Sequence, residues 1–470
     1  TADRPAELRG VGANQTTNQV TMFGQAVHAS FDVPAPTERE DLADEARGYA
    51  LDALRRARAG AERRRPGPIH LNIAFREPLS SATSSVEKSA LLSPGDVRIH
   101  EHRPSRSPRV AYLDPEPGTV VIAGHGAGPE AENLARDLGA PLFAEVHSGA
   151  RFGKNLVVAY RQLLENPPRS QTINRVVCVG RPTLARQVQR LSSRQDIEQV
   201  VWQRDEPEPF NLSGSARIFD DVQVSRLASE AENRAWVAPW VIASRSHLEK
   251  QAAIGQPPAP DVSALASEKA ANRAQFAERE MSVIRRSLTR RDIAREIWAH
   301  TWPGDPLVLG SSRMIREFDM VVPGKKIPVW ANRGLSGIDG TIATARGLVA
   351  GRLQAGVSGV TRVVLGDLAL LHDAGSMLLQ ESERENSRLH LFVVVDGGGS
   401  LFDSLEVADS AEASAYERVV FTPAAADLKS LAKAYSWSYR KVSDLRGLMD
   451  ALSNSAGHLL VECPVGRRAP

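Results

Sequence analysis

Two apolar runs constrain this chain more than anything else in it. Arg362-Val363-Val364-Leu365-Gly366-Asp367 and Leu391-Phe392-Val393-Val394-Val395-Asp396 each end in an aspartate, and the second continues into Gly397-Gly398-Gly399. Short β-branched runs bounded by glycine read as buried strands. Between them, Leu370, Leu371, Met377, Leu378 and Leu379 supply the apolar face of a crossover helix. The unit is therefore βαβ, which requires a parallel sheet and places the chain in the α/β class. Ligands of open α/β sheets sit at the C-terminal strand ends, where both aspartates fall. Two hard carboxylates beside a glycine turn that admits a backbone carbonyl suit Mg²⁺ held against a phosphate. An ordinary Asp-Gly turn has the same appearance.

A chain of 470 residues is long for one domain, so about two or three are expected. With 58 basic against 56 acidic side chains, the formal charge of +2 gives no general case for nucleic acid or membrane binding. The basic clusters at residues 55–65 and 285–291 read as solvated faces. Cys178 and Cys463 end apolar runs, which suggests buried strand residues in a reducing, cytoplasmic setting rather than a disulfide framework. No apolar run approaches membrane-spanning length.

In chain order, residues 1–24 are polar and glycine-rich and read as a loop that presents side chains. An amphipathic helix is expected at about 35–59, then a Pro/Gly turn and a strand at Ile69-His70-Leu71-Asn72-Ile73. Residues 80–117, rich in Ser, Pro and Arg, read as an interdomain linker. A second α/β region opens at Thr119, with strands at 120–124, 141–145, 175–180 and 200–202. Its Gly124-His125-Gly126-Ala127-Gly128 turn lacks the spacing of a dinucleotide fingerprint, so a Rossmann-like domain without nucleotide is expected. Arg181, Arg186 and Arg190 follow one of its strands, as an anion site or as solvated charges. A long charged helix at 262–289 leads into the third region. There 306–310 is a strand, Ser311-Ser312 a helix cap, and Arg313 and Arg316 lie on the first turns of the helix. A small-residue helix follows at about 344–353. Several strand ends thus carry Ser, Arg and Gly toward the edge that holds Asp367 and Asp396, as a phosphorylated cofactor and an anionic substrate would require.

Five stretches in order carry a family resemblance: ADRPAEL and GANQ (2–15), RPGPIHLNIAFREPL (65–79), NRGLSGIDGTIATA (332–345), GDLALLHD (366–373) and DGGGSLFDSLE (396–406). Together they resemble the MenD family, the thiamine-diphosphate-dependent 2-succinyl-5-enolpyruvyl-6-hydroxy-3-cyclohexene-1-carboxylate synthases of menaquinone biosynthesis. The resemblance implies successive three-layer α/β/α domains. These are the end of a pyrimidine-binding domain (1–80), a linker (81–117), a central Rossmann-like domain (118–262) and a diphosphate-binding domain (263–470). It implies a transferase that decarboxylates 2-oxoglutarate and adds the resulting succinyl-semialdehyde carbanion to isochorismate in a 1,4-addition. The implied cofactors are thiamine diphosphate and Mg²⁺ or Mn²⁺, and the implied assembly is a homodimer or dimer of dimers. By position, Asp367, Asp396 and the Gly398 carbonyl would hold the metal. Many members of the wider superfamily have Asn in place of Asp396. Ile338, Gly366, Leu368, Leu401, Phe402 and Leu405 would line the cofactor, and Arg4, Gln15, Ser312, Arg316 and Arg333 would handle the substrates.

The family's activating glutamate lies in the domain that residues 1–80 would complete, and no stretch here supplies it. The chain is therefore expected to be part of a longer polypeptide to which the activity belongs. Two alternatives stay open: another thiamine-diphosphate carboligase or decarboxylase of 2-oxo acids, and a non-catalytic protein that keeps only the cofactor half-site.

Overall fold

The computed structural model describes residues 1–37, 42–59, 67–77, 79, 108–169, 171–204, 209–253, 262–266, 269–454 and 456–467. Residues 1–107 and 108–470 form two compact units. Most of the stretch read as a linker, residues 81–107, lies outside the described residues.

In the first unit, strands β1 (Ala2–Asp3), β2 (Ala29–Val33) and β3 (Ile69–Ala74) make a parallel sheet in the order β1-β3-β2. Helix α1 (Leu42–Ala59) starts later than the sequence pattern suggested. Asp3, 8% exposed, accepts from Asn72 Nδ2 at 2.8 Å and lies 3.2 Å from Arg9 Nε. Arg9 also reaches Asp32, so one guanidinium ties β1 to β2 across Asn72.

The second unit holds three parallel sheets. Strand β4 (Val110–Leu113), within the stretch read as linker, pairs with β10 (Asp221–Val224). The central sheet runs β6 (Leu142–Ala144), β5 (Thr119–Ala123), β7 (Arg175–Val179), β8 (Glu198–Trp202), β9 (Arg217–Phe219). Helices α2 (Glu130–Asp137), α3 (Tyr160–Glu165), α4 (Arg186–Ser192) and the long α5 (Glu230–Ala253) accompany it. Strands β5 and β6 are buried along their whole length because both faces are covered. Apolar clusters that share its strands include Leu134, Leu138 and Leu142, and Phe143, Tyr160 and Trp240.

The expected long helix at 262–289 is shorter than its composition suggested. Helix α6 spans Ala270–Ile284, and α7 (Arg290–His300) starts afresh. Thr289 accepts from the Asp292 N–H while Asp292 accepts from the Thr289 N–H, a reciprocal cap that sets a new N-terminus. The third sheet has six parallel strands in the order β12 (Val329–Trp330), β11 (Leu307–Leu309), β13 (Thr361–Gly366), β14 (Leu389–Val395), β16 (His458–Pro464), β15 (Ser438–Lys441). Helix α8 (Arg313–Val321) follows β11, α9 (Thr341–Gln354) follows β12, and α10 (Asp367–His372) and α11 (Glu381–Asn386) lie between β13 and β14. The βαβ unit is thus present, and β13 pairs with β14 along six residues. Cys178 and Cys463 are buried strand residues without a disulfide, as expected.

The central and third sheets share interior. Val146 and Leu184, which follow strands of the central sheet, belong to the apolar cluster of Trp298, Met314, Phe318 and Phe392. Asp319 on α8 is fully buried and meets central-sheet groups from several directions. Arg161 Nη2 is 2.8 Å away, the Tyr160 hydroxyl donates at 2.6 Å, and the Val146 N–H donates at 2.9 Å. Arg151 donates to the backbone carbonyls of Asp319 and Val322.

Candidate active site

The strand ends of β11, β13 and β14 open into a cleft. Ser311, Ser312, Arg313 and Met314 line it from the start of α8, Gly366–Ala369 from the β13–α10 junction, and Asp396 and Gly398–Phe402 from the turn after β14. Ile338 and the buried Arg290 complete the wall.

Local folding places each group. Asp367 is the first residue of α10, so its carboxylate accepts from the Leu368 N–H at 2.8 Å through Oδ1. Through Oδ2 it accepts from the Gly397 N–H at 2.8 Å, which ties the end of β13 to the turn after β14. Burial raises its carboxyl above the ordinary carboxylate range, and the neighbouring Asp396 charge adds to the effect. A cation between these aspartates would remove that repulsion. Asp396 Oδ2 lies 2.6 Å from Arg290 Nη2 and accepts from Ser400 Oγ. Gly397 has φ of 86° and Gly398 φ of 156°. A side chain at Gly398 would put its Cβ 2.6 Å from the Phe421 carbonyl, so only glycine fits this turn.

These residues suit Mg²⁺ on a diphosphate. Among the described residues there is no cluster of three or more His, Cys, Asp or Glu that could cage a metal unaided. Two carboxylates and a glycine turn leave coordination for phosphate oxygens, which is how Mg²⁺ is usually bound. Ser312 caps α8, accepting from Met314 N at 3.2 Å, and leaves the positive end of the helix beside Arg313 in the cleft. Ile338, Leu368, Leu401 and Phe402 give an apolar wall on which a ring could lie.

The remaining expected residues are distributed differently. Leu405 does not line the cleft; it precedes a short helix at Glu406–Ser410. Arg316, one turn along α8, reaches the Ser312 carbonyl at 3.4 Å. Arg333, after β12, donates from Nε to Thr183 Oγ1 at 3.0 Å and from Nη2 to the Thr183 carbonyl at 3.2 Å, and approaches Ser311 Oγ at 3.4 Å. Burial lowers both guanidinium pKa values, and for Arg316 the nearby charges of Arg333, Arg161 and Arg186 lower it further. A cluster of half-buried cations under mutual repulsion is suited to anionic partners. Arg4 and Gln15 lie in the first unit, 3.4 Å apart, and line a hollow there with Asp3 and Phe75. Gln15 has φ of 59°, a left-handed backbone that side chains rarely adopt.

Two contributors escaped the sequence reading. Arg290 was grouped with solvated charges, yet it is fully buried against Asp396. Glu145, at the end of β6, is also fully buried and accepts from the Thr183 and Leu184 N–H groups, so it braces the loop that holds Arg333. Burial pushes its carboxyl up to about 7, the Asp319 charge adds to this, and the two N–H bonds oppose it. His147 beside it is pushed down to about 3 by burial and then by Arg333 and His125, so it is neutral. Because the folded carboxyl binds its proton more tightly than the ordinary 4.5, that stabilisation is complete below 4.5 and lost as pH rises through about 7. The difference corresponds to roughly 3 kcal/mol. Glu145→Gln keeps a carbonyl acceptor without the charge, so thermal unfolding followed from pH 5 to 8 should fall less steeply than in the parent. An identical pH profile would show that Glu145 does not titrate in this range.

Two members of the cationic triplet Arg181, Arg186 and Arg190 have defined contacts. Arg186 is exposed and pairs with the exposed Glu406, and the Arg181 backbone bridges to His125. Among the described residues no helix is long and apolar enough to cross a membrane.

No family model matches the chain. It is 45% identical, over 99% of its length and 80% of the relative's, to the 2-succinyl-5-enolpyruvyl-6-hydroxy-3-cyclohexene-1-carboxylate synthase of Leifsonia xyli subsp. xyli. Its fold is similar to that of benzoylformate decarboxylase from Polynucleobacter necessarius, with a TM-score of 0.57 and 14% identity over the whole chain and 81% of that structure. A putative thiamin diphosphate-dependent enzyme from Mycobacterium smegmatis gives a TM-score of 0.54 and 12% identity, over 99% of this chain and 81% of that one. With that degree of identity along nearly all of its length, the chain belongs to the 2-succinyl-5-enolpyruvyl-6-hydroxy-3-cyclohexene-1-carboxylate synthase family.

Proposed function

We propose that the chain carries out the reaction for which its family is named: decarboxylation of 2-oxoglutarate and 1,4-addition of the four-carbon remainder to isochorismate, for menaquinone biosynthesis. The observation that carries this reading is one cleft lined by Asp367, Asp396 and the Gly398 turn, with the half-buried Arg316 and Arg333 in the same unit. Thiamine diphosphate, when bound, supplies the electron sink that lets a 2-oxo acid lose CO₂ and react as a nucleophile at its former carbonyl carbon.

The chain's own residues have separate tasks in this reading. Asp367, Asp396 and the Gly398 carbonyl hold Mg²⁺, and the start of α8 with Arg313 offsets diphosphate charge. Ile338, Leu368, Leu401 and Phe402 exclude water from the reacting ring, which strengthens the electrostatics of the site. Arg316 and Arg333 orient substrate carboxylates, with the Ser312 hydroxyl beside them. Both substrates carry carboxylates, and a guanidinium grips each bidentately.

The test is turnover with thiamine diphosphate, Mg²⁺, 2-oxoglutarate and isochorismate, on the 470-residue chain and on one extended upstream of Thr1. Loss of isochorismate matched by CO₂ release in either chain supports the reading. Release of CO₂ with isochorismate untouched in both would make the protein a 2-oxo-acid decarboxylase of another kind. Cofactor binding without any turnover would leave a half-site binding protein.

A further inference from the structure

Arg290 is the first residue of α7, 0% exposed, and its backbone is fixed by the reciprocal Thr289–Asp292 cap. Its Nη2 lies 2.6 Å from Asp396 Oδ2 and 3.4 Å from Ser400 Oγ, and Ser400 Oγ donates to that same carboxylate oxygen. Nη1 donates to the Gly466 carbonyl at 3.1 Å and Nη2 to the Arg467 carbonyl at 3.2 Å. The guanidinium is thus anchored to the chain beyond β16, and its one carboxylate partner in these contacts is Asp396. Burying a charge this completely is costly unless a partner repays it in place, and such a pair persists where it fixes a geometry.

We infer that Arg290 is a positioning residue for the metal site: it grips one oxygen of Asp396, orients the carboxylate toward a cation, and restores positive charge for a diphosphate. This rests on the reading of Asp367 and Asp396 as metal ligands. The charge count gives the reason. Two carboxylates cancel a divalent cation, so the positive charge that meets a diphosphate has to come from the wall of the cleft. Arg290 adds to the charge that Arg313 brings to the same wall, so the site with its cation is net positive. A second carboxylate as ligand is therefore tolerable here because a buried arginine accompanies it. Arg290 and Asp396 form one functional pair, separated in sequence but joined at the end of β14.

The test is Mg²⁺-dependent binding of thiamine diphosphate, titrated with the metal in the full chain and followed by calorimetry. Four variants are compared: Arg290→Met, Arg290→Lys, Asp396→Asn, and Arg290→Met combined with Asp396→Asn, with Asp367→Ala as control. Loss of a partner that orients a metal ligand costs about 10–100-fold in metal affinity, and that is the weakening expected for Arg290→Met. Arg290→Lys should recover part of it. In the Asp396→Asn background the same Met substitution should cost much less, because the charge that Arg290 offsets is gone. Equal losses in both backgrounds, or an unchanged Mg²⁺ titration, would overturn the pairing. Should Arg290→Met fail to fold, the comparison of Arg290→Lys with and without Asp396→Asn decides by the same criterion. If Asp367→Ala also binds normally, the metal-site reading itself falls, which is a different result from failure of Arg290 alone.

Discussion

Asp367→Ala is expected to abolish Mg²⁺-dependent binding of thiamine diphosphate. The loss should exceed the roughly 10–100-fold that follows from removing a residue that merely orients a ligand. Two effects combine. The cleft loses one of its two carboxylates, and the Leu368 and Gly397 N–H groups lose their shared acceptor. The second effect loosens the junction of β13 with the turn after β14, so the Gly398 carbonyl is displaced as well. Asp367→Asn, which keeps an oxygen acceptor, should lose less. Calorimetric titration of cofactor at several Mg²⁺ concentrations measures both variants. Unimpaired binding by Asp367→Ala would mean that the metal lies elsewhere.

The largest loss of stability is expected at Asp319, which the substrates need never touch. Its carboxylate is fully buried among Arg161, the Tyr160 hydroxyl and the Val146 N–H, and Arg151 Nη1 lies 3.5 Å from it. Removing one partner of a buried ion pair typically costs about 3–5 kcal/mol because the other charge is left uncompensated. Here Asp319→Ala strands Arg161 and deprives Arg151 of its nearest carboxylate, so the upper part of that range is expected in denaturant unfolding. Asp319→Asn should fall between the alanine variant and the parent, since it restores an acceptor for Tyr160. A loss below about 1 kcal/mol for Asp319→Ala would show that water reaches the cluster.

The cofactor side of the site was legible because its signals are local. Strands β13 and β14 are continuous apolar runs, the aspartates follow them directly, and the glycine turn stands beside the second. Arg290 was not legible. In sequence it is one of several basic residues before a helix, and only the path of β16 and the chain after it turns that position inward. Asp319 and its partners were equally hidden, because the contacts join α8 to α3 and the chain before it, far apart in sequence. The charged stretch at 262–289 holds a helix, Ala270–Ile284, that is shorter at both ends than its composition suggested. Thr289 and Asp292 have the spacing of a helix start, and their reciprocal cap begins the next helix where the expected one was to end. Leu405 was placed by resemblance alone, and the turn of chain after Phe402 carries it away from the cleft.

The Asp319 cluster also bears on how this protein can be recombined. Helix α8 carries Ser312 and Arg316, yet its far end is fastened to Tyr160, Arg161 and Val146, while Arg333 is held by Thr183. The central sheet and its loops, none of which line the cofactor cleft, therefore act as the bench on which Arg316 and Arg333 are mounted. Exchanging the central region for that of a distant homologue would leave the metal aspartates in place but misalign the arginines, unless Asp319, Arg333 and their partners travelled together. In this family, substrate selectivity and the central domain are expected to be inherited as a single cassette.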